Sequence, residues 1–390
     1  MLQKYLFLEI LNSEDPKTKY EEFKNLANYN FLIYFLKENK NNNISNDENN
    51  IISDESNNSF NLLNNYEKIF INKFADYENF NFIGSLIEIR YVIEIDTNIV
   101  SYLDRLCKNN LVEEQNLDIQ KMLDDIIPKH KYFKLGYNLY MLENILKGID
   151  DNIILDVAKS VEYSFYPEKK SINNDFIYSI EKKIKERIEH IKLLKNEKEK
   201  QNIPILCLLI KVFFIKKLTY NLYERIEKLV CFINEELGVY MEVETIICIL
   251  YLLDDKNIEK FFIERKILSM SWDLSHLRFL EEIYIKKPTF KSITFPFFIS
   301  SDEALREVIK LYKIKGIYKI GTNQYDVIYE FNIETYIEEY QGKKGFKINK
   351  NKIKEILLQI LENTEKRKLK KVDYNRLLEN LKIETNIKKF

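Results

Sequence analysis

The stretch "YVIEIDTNIVSYLDRL", Tyr91–Leu106, joins two kinds of local structure at one residue. Tyr91–Ile95 is apolar and rich in β-branched side chains, with Glu94 its single charge, and such runs favour a strand. Ile99, Tyr102, Leu103 and Leu106 then recur at the three- and four-residue spacing of a helix face. Asp96-Thr97-Asn98 lies between them, so a carboxylate is expected where strand passes into helix. Strands alternating with helices imply a parallel sheet with crossover helices. The functional crevice of such a sheet lies at the carboxyl ends of its strands.

The same pattern returns further along the chain. "KYFKLGYNLY" (Lys131–Tyr140) runs straight into the helical "MLENILKGI", and "SITFPFFIS" (Ser292–Ser300) precedes the helical "SDEALREVIKLYKI". Short β-like runs follow at "GIYKI" and "YDVIYEF". Residues 1–36 read as a helical, amphipathic segment. Residues 37–65 form a low-complexity linker or loop, too poor in apolar groups to offset its ordering entropy. "YEKIFINKFADY" from Tyr66 reads as helix. The expected fold class is α/β: a parallel sheet flanked by helices and interrupted by a mostly α-helical insertion. One domain would span 66–145 and 266–335, with the insertion at 146–265 and a basic, helical C-terminal extension at 336–390.

Composition narrows the function classes. Hydrophobic content of 45% with 31% charge fits a soluble globular protein, and a net charge of −1 argues against a globally basic nucleic-acid binder. With 8 Gly and 6 Pro in 390 residues, helix should dominate, and Gly-rich phosphate loops are absent. Cys107, Cys207, Cys231 and Cys248 are widely spaced with no CxxC pair, which points to reduced thiols in a cytoplasmic protein. The N-terminus lacks a signal-peptide pattern. "IPILCLLIKVFFIKKL" is interrupted by Lys211 and falls short of the roughly 20 residues of a membrane span.

Four acidic residues fall at comparable places. Asp96 ends the first strand, and Glu143 lies in the helix after the second. Asp273 stands in "SMSWDLSHLRFLEEI", read as the start of a helix, and Asp302 follows the later strand. Singly, Asp96, Asp273 and Asp302 read as helix N-caps and Glu143 as an ordinary helix residue. Together at one sheet edge they would repel one another and raise their own pKa values. A cation relieves that cost, and oxygen-only ligands select Mg²⁺ or Mn²⁺.

These residues bear a resemblance. "EIDTNIVSYL" resembles the opening strand and turn of PIN-domain nucleases, and "YNLYMLENILKG" their second strand and Glu-bearing helix. "SWDLSHLRFLEEI" is similar to the helix carrying the third acid, and "FPFFISSDEAL" to the later strand ending in Thr/Ser-x-Asp. The resemblance covers roughly residues 88–145 and 268–320, with a long stretch between Glu143 and Asp273 that a compact PIN domain lacks. It implies a PIN-like metal-dependent ribonuclease, with Asp96, Asp273 and Asp302 as ligands of Mg²⁺ or Mn²⁺. Glu143 would orient a metal-bound water or hold a second ion, with Glu242 and Glu244 its rivals for that position. Asn98 and Ser301 would contact the metal's outer shell or the substrate phosphate. Lys343, Lys344 and Lys347, in the run "KKGFKINKNKIK" (Lys343–Lys354), offer cations for RNA, with a solvated helix surface as the alternative reading. His276, three residues after Asp273, reads rather as a packed residue. By analogy the protein would be a toxin or defence effector, self-associating or held by an inhibitory partner. The alternative is a non-catalytic PIN-like binding or scaffold protein whose acids are caps. A haloacid-dehalogenase phosphatase needs Asp-x-Asp, and Asp96-Thr97-Asn98 lacks the second acid.

Overall fold

A computed structural model describes residues 2–27, 29–35, 68–74, 80–83, 88–110, 113–165, 174–219, 221–286, 292–320, 324–331, 333, 336 and 349–385. The elements begin with α1 (Leu2–Leu11), α2 (Pro16–Ala27), β1 (Tyr29–Phe35), β2 (Phe70–Lys73) and β3 (Phe80–Ile83). Next come β4 (Glu88–Ile95), α3 (Thr97–Cys107), α4 (Glu113–Ile126), β5 (Phe133–Gly136), α5 (Asn138–Leu146) and α6 (Asp151–Ser164). A long helical run follows: α7 (Asn174–Leu218), α8 (Leu222–Phe232), α9 (Glu242–Leu252), α10 (Lys256–Glu259) and α11 (Ile267–Lys286). The chain then adds β6 (Ser292–Ser300), α12 (Glu303–Ile309), β7 (Ile314–Ile320) and β8 (Gln324–Tyr329). It closes with α13 (Lys350–Glu362), α14 (Thr364–Lys368) and α15 (Tyr374–Thr385).

Two compact units divide the chain. The first comprises Met1–Leu193, Leu280–Asp302 and Lys313–Glu330; the second Leu194–Phe279, Glu303–Tyr312 and Phe331–Phe390. Both sheets belong to the first unit.

The sheet that carries the Tyr91–Leu106 junction has the order β5-β4-β6-β2. β4 pairs in parallel with β5 on one side and β6 on the other, and β2 runs antiparallel to β6. From β4 the chain passes first to one neighbour and then to the other, which makes the β4–β6 edge the topological switch point of an α/β sheet. Ile93 and Ile95 of β4 and Phe295, Phe297 and Ile299 of β6 are fully buried. Strands covered on both faces lose polar alternation and become near-continuous apolar runs, which "SITFPFFIS" shows. Ile99, Val100 and Leu103 of α3 join this core.

The second sheet, β3-β1-β7-β8, is antiparallel throughout. It corrects two expectations. Residues 1–36 are not all helical, because β1 follows α2; and "YEKIFINKFADY" holds β2 rather than a helix. "YNFLIYF" and "FINK" are too short for a helical period to be told from a strand run, and strand pairing decides them. The parallel sheet also carries an antiparallel edge strand that the alternation of strands and helices did not foretell. Between α6 and α10 the described residues contain helices and turns, with no strand. Segment 37–65 lies outside the described residues. Among the described residues no helix is long and apolar enough to cross a membrane.

Candidate functional site

The β4–β6 ladder extends one residue past β4, since the Asp96 N–H donates to the Ile299 carbonyl at 2.9 Å. α3 starts at the next residue, so Asp96 occupies an N-cap position. Its side chain nevertheless makes no capping hydrogen bond. Elsewhere this chain caps helices as Asp and Asn usually do: Asp150, Asn221 and Asp255 all accept backbone N–H bonds from the first turn. The Asp96 carboxylate instead accepts the Ser300 hydroxyl at 2.9 Å. Ser300 is buried, and its Oγ also accepts the Asp302 N–H at 3.0 Å. One hydroxyl thus ties the Asp96 side chain to the turn that carries Asp302.

Burial pushes the Asp96 carboxyl up to about 6. The Ser300 hydroxyl and the Thr97 N–H oppose that rise, while the charges of Asp302 and Glu143 add to it. Two of the other acids singled out in the sequence, Asp302 and Glu143, therefore bear on Asp96 at the end of β4. Glu143 projects from α5 with both oxygens engaged. Oε2 accepts from Thr97 Oγ1 at 2.5 Å, and Oε1 pairs with Lys147 one turn on, also at 2.5 Å.

Beneath this edge lies a carboxylate on the strand itself. Glu94 is 1% exposed, between Ile93 and Ile95, and its Oε1 accepts from Asn138 Nδ2 at 3.0 Å. Its partner in the β4–β5 register is Gly136. A Cβ on Gly136 would stand 2.1 Å from Glu94 Oε1, so the missing side chain is the space the carboxylate fills.

The remaining candidates are placed as follows. Asn98 is exposed in the first turn of α3, and Ser301 is half-buried between Ser300 and Asp302. The hydroxyl that touches Asp96 belongs to Ser300, one residue before the serine that the sequence singles out. The register could have revealed it, because Ile95 pairs with Ile299 and so sets Ser300 opposite Asp96. Asp273 lies half-buried on α11 in the second unit, and His276 is buried on the same helix.

Glu244, also in the second unit, is 1% exposed. It is held by Arg278 through two bonds of 2.6 and 2.8 Å and by the Tyr312 hydroxyl at 3.2 Å. That is a buried structural ion pair, and Glu143 is the glutamate whose charge bears on Asp96. Glu242 lies half-buried in the first turn of α9.

Lys343, Lys344 and Lys347 lie outside the described residues. In the basic run "EKRKLKK" (Glu365–Lys371), Arg367 is buried against Asn234, while Lys368 pairs with Glu365 and Lys370 with Glu235. Those cations serve local packing. Among the described residues, no group of three or more His, Cys, Asp or Glu side chains is gathered so as to hold a metal ion. Comparison with protein-family models, curated proteins and solved structures returned no match.

Proposed function

We propose that the end of β4 is the centre of a metal-dependent phosphodiesterase of PIN-like type that hydrolyses RNA. One observation carries the reading: Asp96 sits at the switch point of a parallel sheet, makes no side-chain capping bond to α3 and bears the charge of two further acids. A structural cap would accept from the N–H of Asn98 or Ile99, whereas the Asp96 carboxylate accepts the Ser300 hydroxyl.

The donor set fits a hard cation in kind and charge, being carboxylate and hydroxyl oxygen only. Asp96 and Asp302, tied through Ser300, are the residues that would hold the ion. When bound, Mg²⁺ or Mn²⁺ supplies Lewis-acid polarisation of a phosphoryl oxygen and makes a bound water more acidic. The chain's own groups do the rest. Ser300 keeps the Asp96 carboxylate oriented, and Thr97 fixes Glu143, whose carboxylate would hold a water of the ion and accept its proton. Lys147, exposed beside Glu143, offers a positive charge toward a phosphate.

The test is cleavage of RNA by the purified full chain with Mn²⁺ and with excess chelator, for wild type and Asp96→Asn. Asn keeps the size and the capping ability of Asp, so a folded variant isolates the charge. The variant should lose about 100-fold or more of the Mn²⁺-dependent rate, the equivalent of several kcal/mol of charge stabilisation. Undiminished cleavage by folded Asp96→Asn would overturn the reading.

A further inference from the structure

We infer that Glu94 is a positioning residue of this centre, setting where α5 places Glu143 relative to Asp96. The inference rests on the function proposed above and adds a residue that no motif in the sequence marks. Its basis is a cost and the space made to meet it. A buried carboxylate on a core strand, at the penultimate residue of β4, is expensive where Val or Ile would pack freely. The fold nevertheless admits one, and Gly136 gives up its side chain to make room.

The carboxylate is aimed at a functional element. Asn138, which donates to it, is the first residue of α5, the helix that carries Glu143. Five residues on, Glu143 is tied to the same strand–helix junction by its bond from Thr97. Glu94 and Asp96 are two residues apart in extended chain and so face the same side of the sheet. The two hydrogen bonds therefore brace α5 against the junction that bears Asp96, one at the helix start and one at Glu143. Groups of this kind, behind the ligands, typically alter metal affinity or activity by about 10–100-fold when removed.

The experiment uses the full chain with Mn²⁺ as the probe, its binding followed by electron paramagnetic resonance. Amide exchange at Met141, whose N–H bonds to the Tyr137 carbonyl in the first turn of α5, is followed in parallel. Glu94→Ala should weaken Mn²⁺ binding by about 10–100-fold and speed exchange at Met141. Glu94→Gln, whose amide oxygen still accepts from Asn138, should retain most of the affinity. Asn138→Ala removes the same bond without touching the strand and should reproduce the loss.

Gly136→Ala should destabilise the wild type, and Glu94→Ala in the same chain should restore its melting temperature but not its Mn²⁺ affinity. If wild type binds no Mn²⁺, the proposed function fails, and exchange at Met141 with the Gly136 pair still decides the role of Glu94. If wild type binds Mn²⁺ while Glu94→Ala matches it in affinity and exchange, the Glu94 assignment is wrong and the function stands.

Discussion

Asp96 has an ordinary carboxyl value of 3.8 when the chain is unfolded and about 6 in the fold. Between those values the folded state holds the extra proton, so stability falls as pH rises through the window. Above it the whole cost of keeping a charged Asp96 is present, about 3 kcal/mol. Asp96→Asn removes that cost. Denaturant melts should show the variant more stable than wild type near pH 8 and the two converging near about pH 4. A difference that does not change with pH would mean that Asp96 is not ionised at a cost. The carboxylate was legible in the sequence because the change from strand to helix spacing locates its position. Ser300 and Glu94 were not legible in their roles, since each depends on which residue of another strand lies opposite. Asp273, half-buried on α11, belongs to the second unit, a division that order along the chain does not reveal.

Among the strands and helices, the longest signals were the plainest. β4, β6 and the helices between α6 and α11 announced themselves by apolar runs or helical spacing. β1 and β2 did not, because short apolar stretches acquire their structure from partners. Partnership also explains the Glu244 clamp, which joins α9 to α11 and to the turn at Tyr312. Arg278→Ala would leave the Glu244 carboxylate buried without its cation. The Arg278 side chain is 37% exposed, so the loss should be about 2–3 kcal/mol, below that of a fully buried pair. Chemical denaturation of the variant measures it, and a change under about 0.5 kcal/mol, as at an ordinary surface site, would show that the clamp carries no stability.

Over the whole molecule, neither unit is a continuous piece of chain. A fragment of residues 1–193 contains β4 and β5 but lacks β6, the strand between β4 and β2, and β7, which pairs with β1. It should give no cooperative melt by circular dichroism when made alone. A cooperative transition in that fragment would show that the first unit does not need its distant strands. The parallel pairing of β4 with β6 carries one further consequence, and it concerns time. Roughly 200 residues separate the two strands, and β6 delivers both Ser300 and the turn to Asp302. At about 5–20 residues per second, a ribosome needs about 10–40 s to pass from one strand to the other. Throughout that interval the nascent chain displays Asp96 without the hydroxyl that orients it. On the proposed reading, a chain that cuts RNA at this edge would stay harmless to the message encoding it until β6 had been made.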